Sequence, residues 1–334
     1  MKILLSAALG LVILGTVSGQ SAPSESPTNG KLDLEGVRSN WAVVPTGADL
    51  GYSVGGWHFS VGGGYEALDF NRVQGTGDPA DGAPVKWTYP NGTLGVKYTW
   101  SLAEADLWAG AGATGYGDFG LGTQASGEFQ DWNGNLFALV KAGVTRDRRE
   151  YNAHNLESGT FAEASAVWSP AALSVRGTDF YRLNLRTAAF VPLWDLEAPA
   201  QLFSALMAFR ANLQWTDGTS VPLPLLTATE VRGYSHLYDA KFLGVGTAEL
   251  RGRLWSWVGV HDLVPVGFFF VDAGRYAGYA DAATASDRSG WLAGAGMGGG
   301  LEMFGAATPT LTLGLPLVNG DTSLYWALDF NLRF

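Results

Sequence analysis

Leu324-Tyr-Trp-Ala-Leu-Asp-Phe-Asn-Leu-Arg-Phe334 decides how the rest of the chain is read. Its even positions, Leu324, Trp326, Leu328, Phe330, Leu332 and Phe334, are all apolar, while Asp329, Asn331 and Arg333 stand on the odd ones. A period of two puts one set on each side of a strand, and a helix has no such face. Working back from the C-terminus, Leu311, Leu313, Leu315 and Leu317 oppose Thr310 and Thr312. In Phe242 to Trp255 the polar face is Thr247, Glu249, Arg251 and Arg253. In Gln201 to Thr216, Phe203, Ala205, Met207, Phe209, Ala211, Leu213 and Trp215 oppose Arg210, Asn212 and Gln214. Tyr181, Leu183, Leu185, Ala189, Val191 and Leu193 face away from Arg182, Asn184 and Arg186. One face of such strands suits lipid and the other water.

Composition points the same way. The 334 residues include 46 Gly and 13 Trp, with 13% aromatic, 16% charged and no Cys, which excludes disulfide scaffolds, thiolate metal sites and cysteine catalysis. Mean hydropathy is +0.07. After residue 19 no apolar run is long enough to span a bilayer as a helix. A soluble sandwich also alternates, but these apolar faces are long, and Trp41, Trp57, Trp100, Trp194, Trp255, Trp257 and Trp291 fall near segment ends as in interfacial girdles. The reading is an all-β transmembrane antiparallel barrel. It has sixteen strands, or fourteen as the alternative, and a long loop around 217–240 folded inward. The two further strands of the larger count are sought in the Gly-rich stretch Tyr116 to Gly134, and Pro90-Asn-Gly92 reads as a turn splitting Val85 to Trp100 into two short strands. Val264 to Ala273 is apolar on both faces, and Trp291 to Met303 is mostly Gly and Ala, so neither declares its register.

The N-terminus assigns the compartment. Met1-Lys2, the apolar Ile3 to Val17 and small residues at Val17-Ser18-Gly19 form a signal peptide over 1–19, cleaved after Gly19. A short linker and lead-in follow over 20–39, and the barrel is expected over 40–334, integral to the outer membrane. The net charge of -10 and the lack of a basic stripe exclude nucleic acid as a partner.

One constellation stands out. Val231-Arg232-Gly233-Tyr234 lies in the longest coil-like stretch, Glu249 and Arg251 lie on the following strand, and Phe270-Val-Asp272-Ala-Gly274 lies on the next. An arginine fork in a loop facing two carboxylates on successive strands suits a charge-assisted clamp, with Gly233 permitting a tight turn. This order resembles the barrel of the BamA/TamA superfamily of outer-membrane assembly and translocation proteins (bacterial surface antigen type). The resemblance covers roughly residues 180 to 334, with 41 to 63 a looser match to the opening strands. It implies a loop tip of Arg232, Gly233 and Tyr234 clamped in the lumen against Glu249, Asp272 and Gly274. It also implies a terminal assembly signal of Trp326, Phe330, Leu332 and Phe334, and a seam between the first strand, near Trp41 to Ser53, and the last. Typical members carry periplasmic POTRA modules before the barrel, and the resemblance here extends to none.

The function so implied is insertion or translocation of polypeptide at the outer membrane, the alternative being a passive channel or structural protein. Expected partners are outer-membrane lipid and a client polypeptide or separate periplasmic assembly protein. No enzyme, cofactor or metal is expected. Gly51-Tyr-Ser53-Val-Gly55 spells a nucleophile elbow, but at a strand-to-strand passage rather than the required strand-turn-helix. Gly110-Ala-Gly112-Ala-Thr-Gly115 spells a dinucleotide fingerprint but opens no helix, so its glycines read as room for close strand packing. His58, His154, His236 and His261 lack metal spacing, and His154 with Asp147 and Ser158 is the cluster an enzyme reading would test.

Overall fold

The computed structural model describes residues 31–40, 44–70, 85–116, 135–151, 157–194, 203–220, 231–233, 241–254, 263–277, 289–303, 308–318 and 324–331. They form fourteen strands in one antiparallel sheet, each hydrogen-bonded to its neighbours in chain order. These are β1 (Lys31–Asn40), β2 (Val44–Val54), β3 (Trp57–Phe70), β4 (Val85–Ser101), β5 (Asp106–Tyr116), β6 (Asn135–Tyr151) and β7 (Glu157–Ser169). The second half comprises β8 (Asp179–Trp194), β9 (Phe203–Ser220), β10 (Phe242–Leu254), β11 (Leu263–Ala277), β12 (Ser289–Met303), β13 (Thr308–Val318) and β14 (Tyr325–Asn331). The end strands β1 and β14 approach with Cα atoms within 8 Å, so the sheet curls round on itself, while no backbone ladder joins them among the described residues. No helix among these residues is long and apolar enough to cross a membrane.

The alternation sorts by face as the pattern requires. Leu183, Leu185, Val191, Leu193, Phe209, Leu213, Leu311, Leu315 and Leu317 are exposed on the outside, whereas Glu249, Arg251, Asp272, Thr310 and Thr312 are buried on the enclosed side. A broad apolar outer face would be unfavourable in water and is what hydrocarbon accommodates. Ala205, placed by the pattern on the outer face, is buried. In β11 the ambiguity resolves: Val266, Phe268, Phe270 and Asp272 turn inward, Phe269 and Val271 outward.

Connections divide by length as well. At one end of the sheet stand the links 55–56, 102–105, 152–156, 195–202, 255–262 and 304–307; at the other stand the four longest, 71–84, 117–134, 221–241 and 278–288, with the shorter 41–43, 170–178 and 319–324. Short turns on one side and long loops on the other are the habit of outer-membrane barrels. Exposed aromatics mark both ends. Trp57 packs on Tyr98 at 4.8 Å between ring centroids and Tyr98 on Trp100 at 4.9 Å beside the short turns. Trp168, Trp215, Trp291 and Trp326 lie near the long connections, with Tyr181 on Trp215 at 5.2 Å.

Four expectations change. β5 pairs directly with β6, from Asp106↔Thr145 to Tyr116↔Asn135, so no further strand stands between them, and the count among the described residues is fourteen rather than sixteen. All but the last residue of β1 lie inside the stretch expected as linker over 20–39, so strand begins before residue 40. Register shifts at Leu34/Gly36 and Arg38/Ser39 interrupt its period of two, which is why the alternation is hard to read. The first edge strand is therefore β1, and Val44–Val54 is the second strand, flanked on both sides. β4 runs unbroken through Pro90-Asn-Gly92. Pro90 is the first residue past the β4–β5 ladder, which ends at Asn91↔Tyr116, and from there to Val85 the strand pairs with β3 alone. A missing N–H is tolerated where one edge carries no ladder.

Candidate functional site

Thr247 pairs with Asp272 and Glu249 with Phe270, which sets Glu249 and Asp272 diagonally across adjacent strands on the enclosed face. The tip 231–233 of the long β9–β10 connection descends onto them. Arg232 donates from Nε to Asp272 Oδ2 at 2.8 Å and from Nη2 to Asp272 Oδ1 at 2.8 Å, and its third nitrogen, Nη1, donates to Glu249 Oε2 at 2.7 Å. The Arg232 backbone N–H also donates to Asp272 Oδ2 at 2.9 Å. Glu249 takes a further bond from Arg251 Nε through its other oxygen. Two cations thus face two anions, with Asp272 fully buried and Glu249 nearly so. Such a cluster gains little net stability from its charges, but removing one partner strands the others, at about 3–5 kcal/mol.

The flat face of the guanidinium lies on the Phe270 ring, 3.6 Å from its centroid, with Phe268 at 5.9 Å. Those rings lie against β12, where a Cβ on Gly296 would stand 2.6 Å from Phe270 Cζ and one on Gly298 2.2 Å from Phe268 Cζ. Glycine at every second position is therefore the seat for the aromatic platform. The tip itself needs the same allowance. A Cβ on Gly294 would lie 1.8 Å from the Arg232 carbonyl oxygen, and one on Gly274 2.7 Å from Val231 Cγ2. Gly233 has φ +109°, a region costly for side-chain-bearing residues, and sits against the Leu315 carbonyl. Val231 completes the anchor in a buried cluster with Leu243, Val245 and Leu292.

Of the expected site residues, Arg232, Gly233, Glu249, Asp272 and Gly274 come together here. Tyr234 lies outside the described residues, as do Leu332 and Phe334. Trp326 is half-exposed on β14, and the backbone of Phe330 pairs with Pro309. Sequence reasoning missed Phe268 and Phe270 as the platform and Gly294, Gly296 and Gly298 as its seat. The same-parity glycines of β12 carried the signal. The remaining motifs disperse. Gly110 and Gly112 stand in mid-β5, where a Cβ would lie 2.5 Å from the carbonyl oxygens of Val96 and Leu94, as close packing requires. Ser53 Oγ and His58 Nδ1 hydrogen-bond at 2.9 Å across the β2–β3 hairpin. Asp147 is held by Arg149 Nε at 2.8 Å, Ser158 Oγ donates to the Glu150 carbonyl at 3.5 Å, and His154, His236 and His261 lie outside the described residues.

No protein-family model matches the chain, and no curated protein does. Among solved structures it is similar to the BamA of Haemophilus ducreyi lacking POTRA domains 1–3, with TM-score 0.53 and 12% identity over 85% of this chain and 62% of that one. The chain thus spans less than two thirds of that relative's length. A bacterial polysaccharide outer-membrane secretin aligns at TM-score 0.40 and 11% identity, over 92% of this chain and 99% of that one. The likeness to the first shows the fold, an all-antiparallel β-sheet similar to that of the BamA barrel.

Proposed function

We propose that this chain is an exported, integral outer-membrane β-barrel that takes part in inserting or translocating polypeptide, with the tip of its 221–241 loop plugging the lumen. The observation that carries the reading is the grip on Arg232. Three guanidinium nitrogens and the backbone N–H are all engaged by Asp272 and Glu249 on the wall, over a ring platform seated on glycines. A loop so anchored is a fixed internal element rather than a surface appendage. The approach of β1 to β14 without a ladder among the described residues supports a weak seam, where an edge strand offers unpaired backbone groups to an incoming strand. Outer-membrane lipid meets the apolar band, and the polypeptide arrives unaided or from a separate periplasmic protein.

The test is reconstitution in liposomes with an unfolded outer-membrane barrel as client, its folding followed by heat-modifiability, beside planar-bilayer conductance of wild type and Arg232→Ala. Expected are client folding faster than in empty liposomes and a small flickering current that becomes large and unstable in the variant. Client folding at the empty-liposome rate, with a steady current indifferent to the substitution, would establish a passive channel instead.

A further inference from the structure

Opposite in character to the clamp is the enclosed face of β8 and β9. Arg186 stands directly across from Asn212, and Ala188 across from Arg210, so the two arginines are diagonal neighbours on one face. Both are exposed although they point to the enclosed side, and together with Arg232, Asn212 and Thr247 they line one cavity of about 470 Å³. Neither makes an ion pair among the described residues. Arg210 rests on the Phe190 ring at 6.0 Å, and Glu163, across the β7–β8 ladder from Arg186, instead accepts a hydrogen bond from Thr145 Oγ1 at 3.4 Å. The third arginine of the cavity, Arg232, is committed to Asp272 and Glu249. Towards the long-loop end the positive charge continues, with Arg182 near enough to Arg186, and Lys141 to Arg182, for their like charges to interact. A chain with net charge -10 has therefore gathered several cations, Arg186 and Arg210 among them, on one inner wall.

We propose that Arg186 and Arg210 form an oxyanion-binding site in the lumen, taking a phosphate or carboxylate group. Two guanidinium forks on adjacent strands offer the paired donors that such groups accept, in a pocket wet enough to admit them yet walled by protein, which focuses the field. Phe190 under Arg210 limits where that fork can swing. The site stands on this wall alone and does not require that the barrel insert clients.

Inorganic pyrophosphate, titrated calorimetrically into the full chain refolded in detergent, tests it. Saturable binding is expected, weakened about tenfold or more by Arg186→Gln and by Arg210→Gln individually. Arg146→Gln with Arg148→Gln serves as the control, because those two arginines are occupied by Glu104 away from the cavity and should leave binding unchanged. Arg186→Lys and Arg210→Lys, which keep the charge, should fall between. No binding by wild type, or equal binding by wild type and both glutamine variants, overturns the proposal, as does a control pair that weakens binding equally. Competition by hexaglutamate would extend the site to acidic polypeptide, and its failure to compete would confine the site to small anions.

Discussion

The inner walls of β10–β13 and of β8–β9 use the same residue type to opposite ends. On the first, Arg232 has carboxylates along its edge and Phe270 beneath it. On the second, Arg186 and Arg210 look into a cavity and touch no acid among the described residues. An arginine whose three guanidinium nitrogens all donate to carboxylates inside a neutral cluster holds structure together. One left wet and unpaired adds nothing to stability and keeps its donors for a ligand. The wall near the loop is thus built as an anchor and the adjoining wall as a receptor.

The comparison breaks most visibly at Asp272. Asp272→Ala leaves Arg232 with Glu249 alone and a partly buried backbone N–H without its acceptor, so a loss of about 3–5 kcal/mol is expected, read as a lower urea midpoint and lost heat-modifiability in detergent. A variant as stable as wild type would show that the cluster anchors nothing. Gly294→Ala attacks the same anchor without touching a charge. Its Cβ would overlap the Arg232 carbonyl oxygen, so the tip must lift, at about 1–3 kcal/mol and with an increase in bilayer conductance. Phe270→Leu keeps an apolar side chain but removes the ring face, and is expected to cost about 0.5–2 kcal/mol by the same urea measurement. If it costs as much as Asp272→Ala, the platform rather than the carboxylate holds the loop.

How far these walls could be read in the sequence differs for physical reasons. β8, β9, β10 and β13 were legible because one face meets an apolar surround and the other water, so Leu183, Leu213 or Leu311 contrasts with Arg182, Asn212 or Thr310 at every step. β11 was not, because the loop tip dries its inner face: Phe268 and Phe270 point inward beneath Arg232 and erase the contrast with Phe269 and Val271. In β12 the structural content is the absence of side chains at Gly294, Gly296 and Gly298, which leaves no hydropathy to alternate. Register shifts hide β1, and β4 reads as two strands because Pro90-Asn-Gly92 has turn chemistry whatever the neighbouring strands do. The charges of the anchor were legible through Val231-Arg232-Gly233 and Phe270-Val-Asp272, since each must stand at a fixed parity to meet the others. The receptor wall was visible only as a polar stripe. Register sets Arg210 between Ala188 and Thr247 and Arg186 between Asn212 and Glu163, and that Glu163 bonds Thr145 while Arg186 faces the cavity is a matter of side-chain placement that no single segment contains.

The smallest expected effect is the one that sharpens the comparison most. Arg186→Gln removes a side chain with no ion pair among the described residues and relieves its interaction with Arg182, while the glutamine remains able to hydrogen-bond water in the cavity. Its stability should therefore lie within about 0.5 kcal/mol of wild type in either direction, measured as the urea midpoint beside Asp272→Ala. The electrostatic part of that change, set by Arg182 on one side and Glu163 on the other, should fade as salt is added. A loss approaching that of Asp272→Ala would mean that Arg186 is itself anchored, and the division of the interior into one wall that holds and one that receives would fail. A negligible change with loss of pyrophosphate binding would separate the two roles within a single barrel, because the same residue type would then be structural on one wall and available on the other.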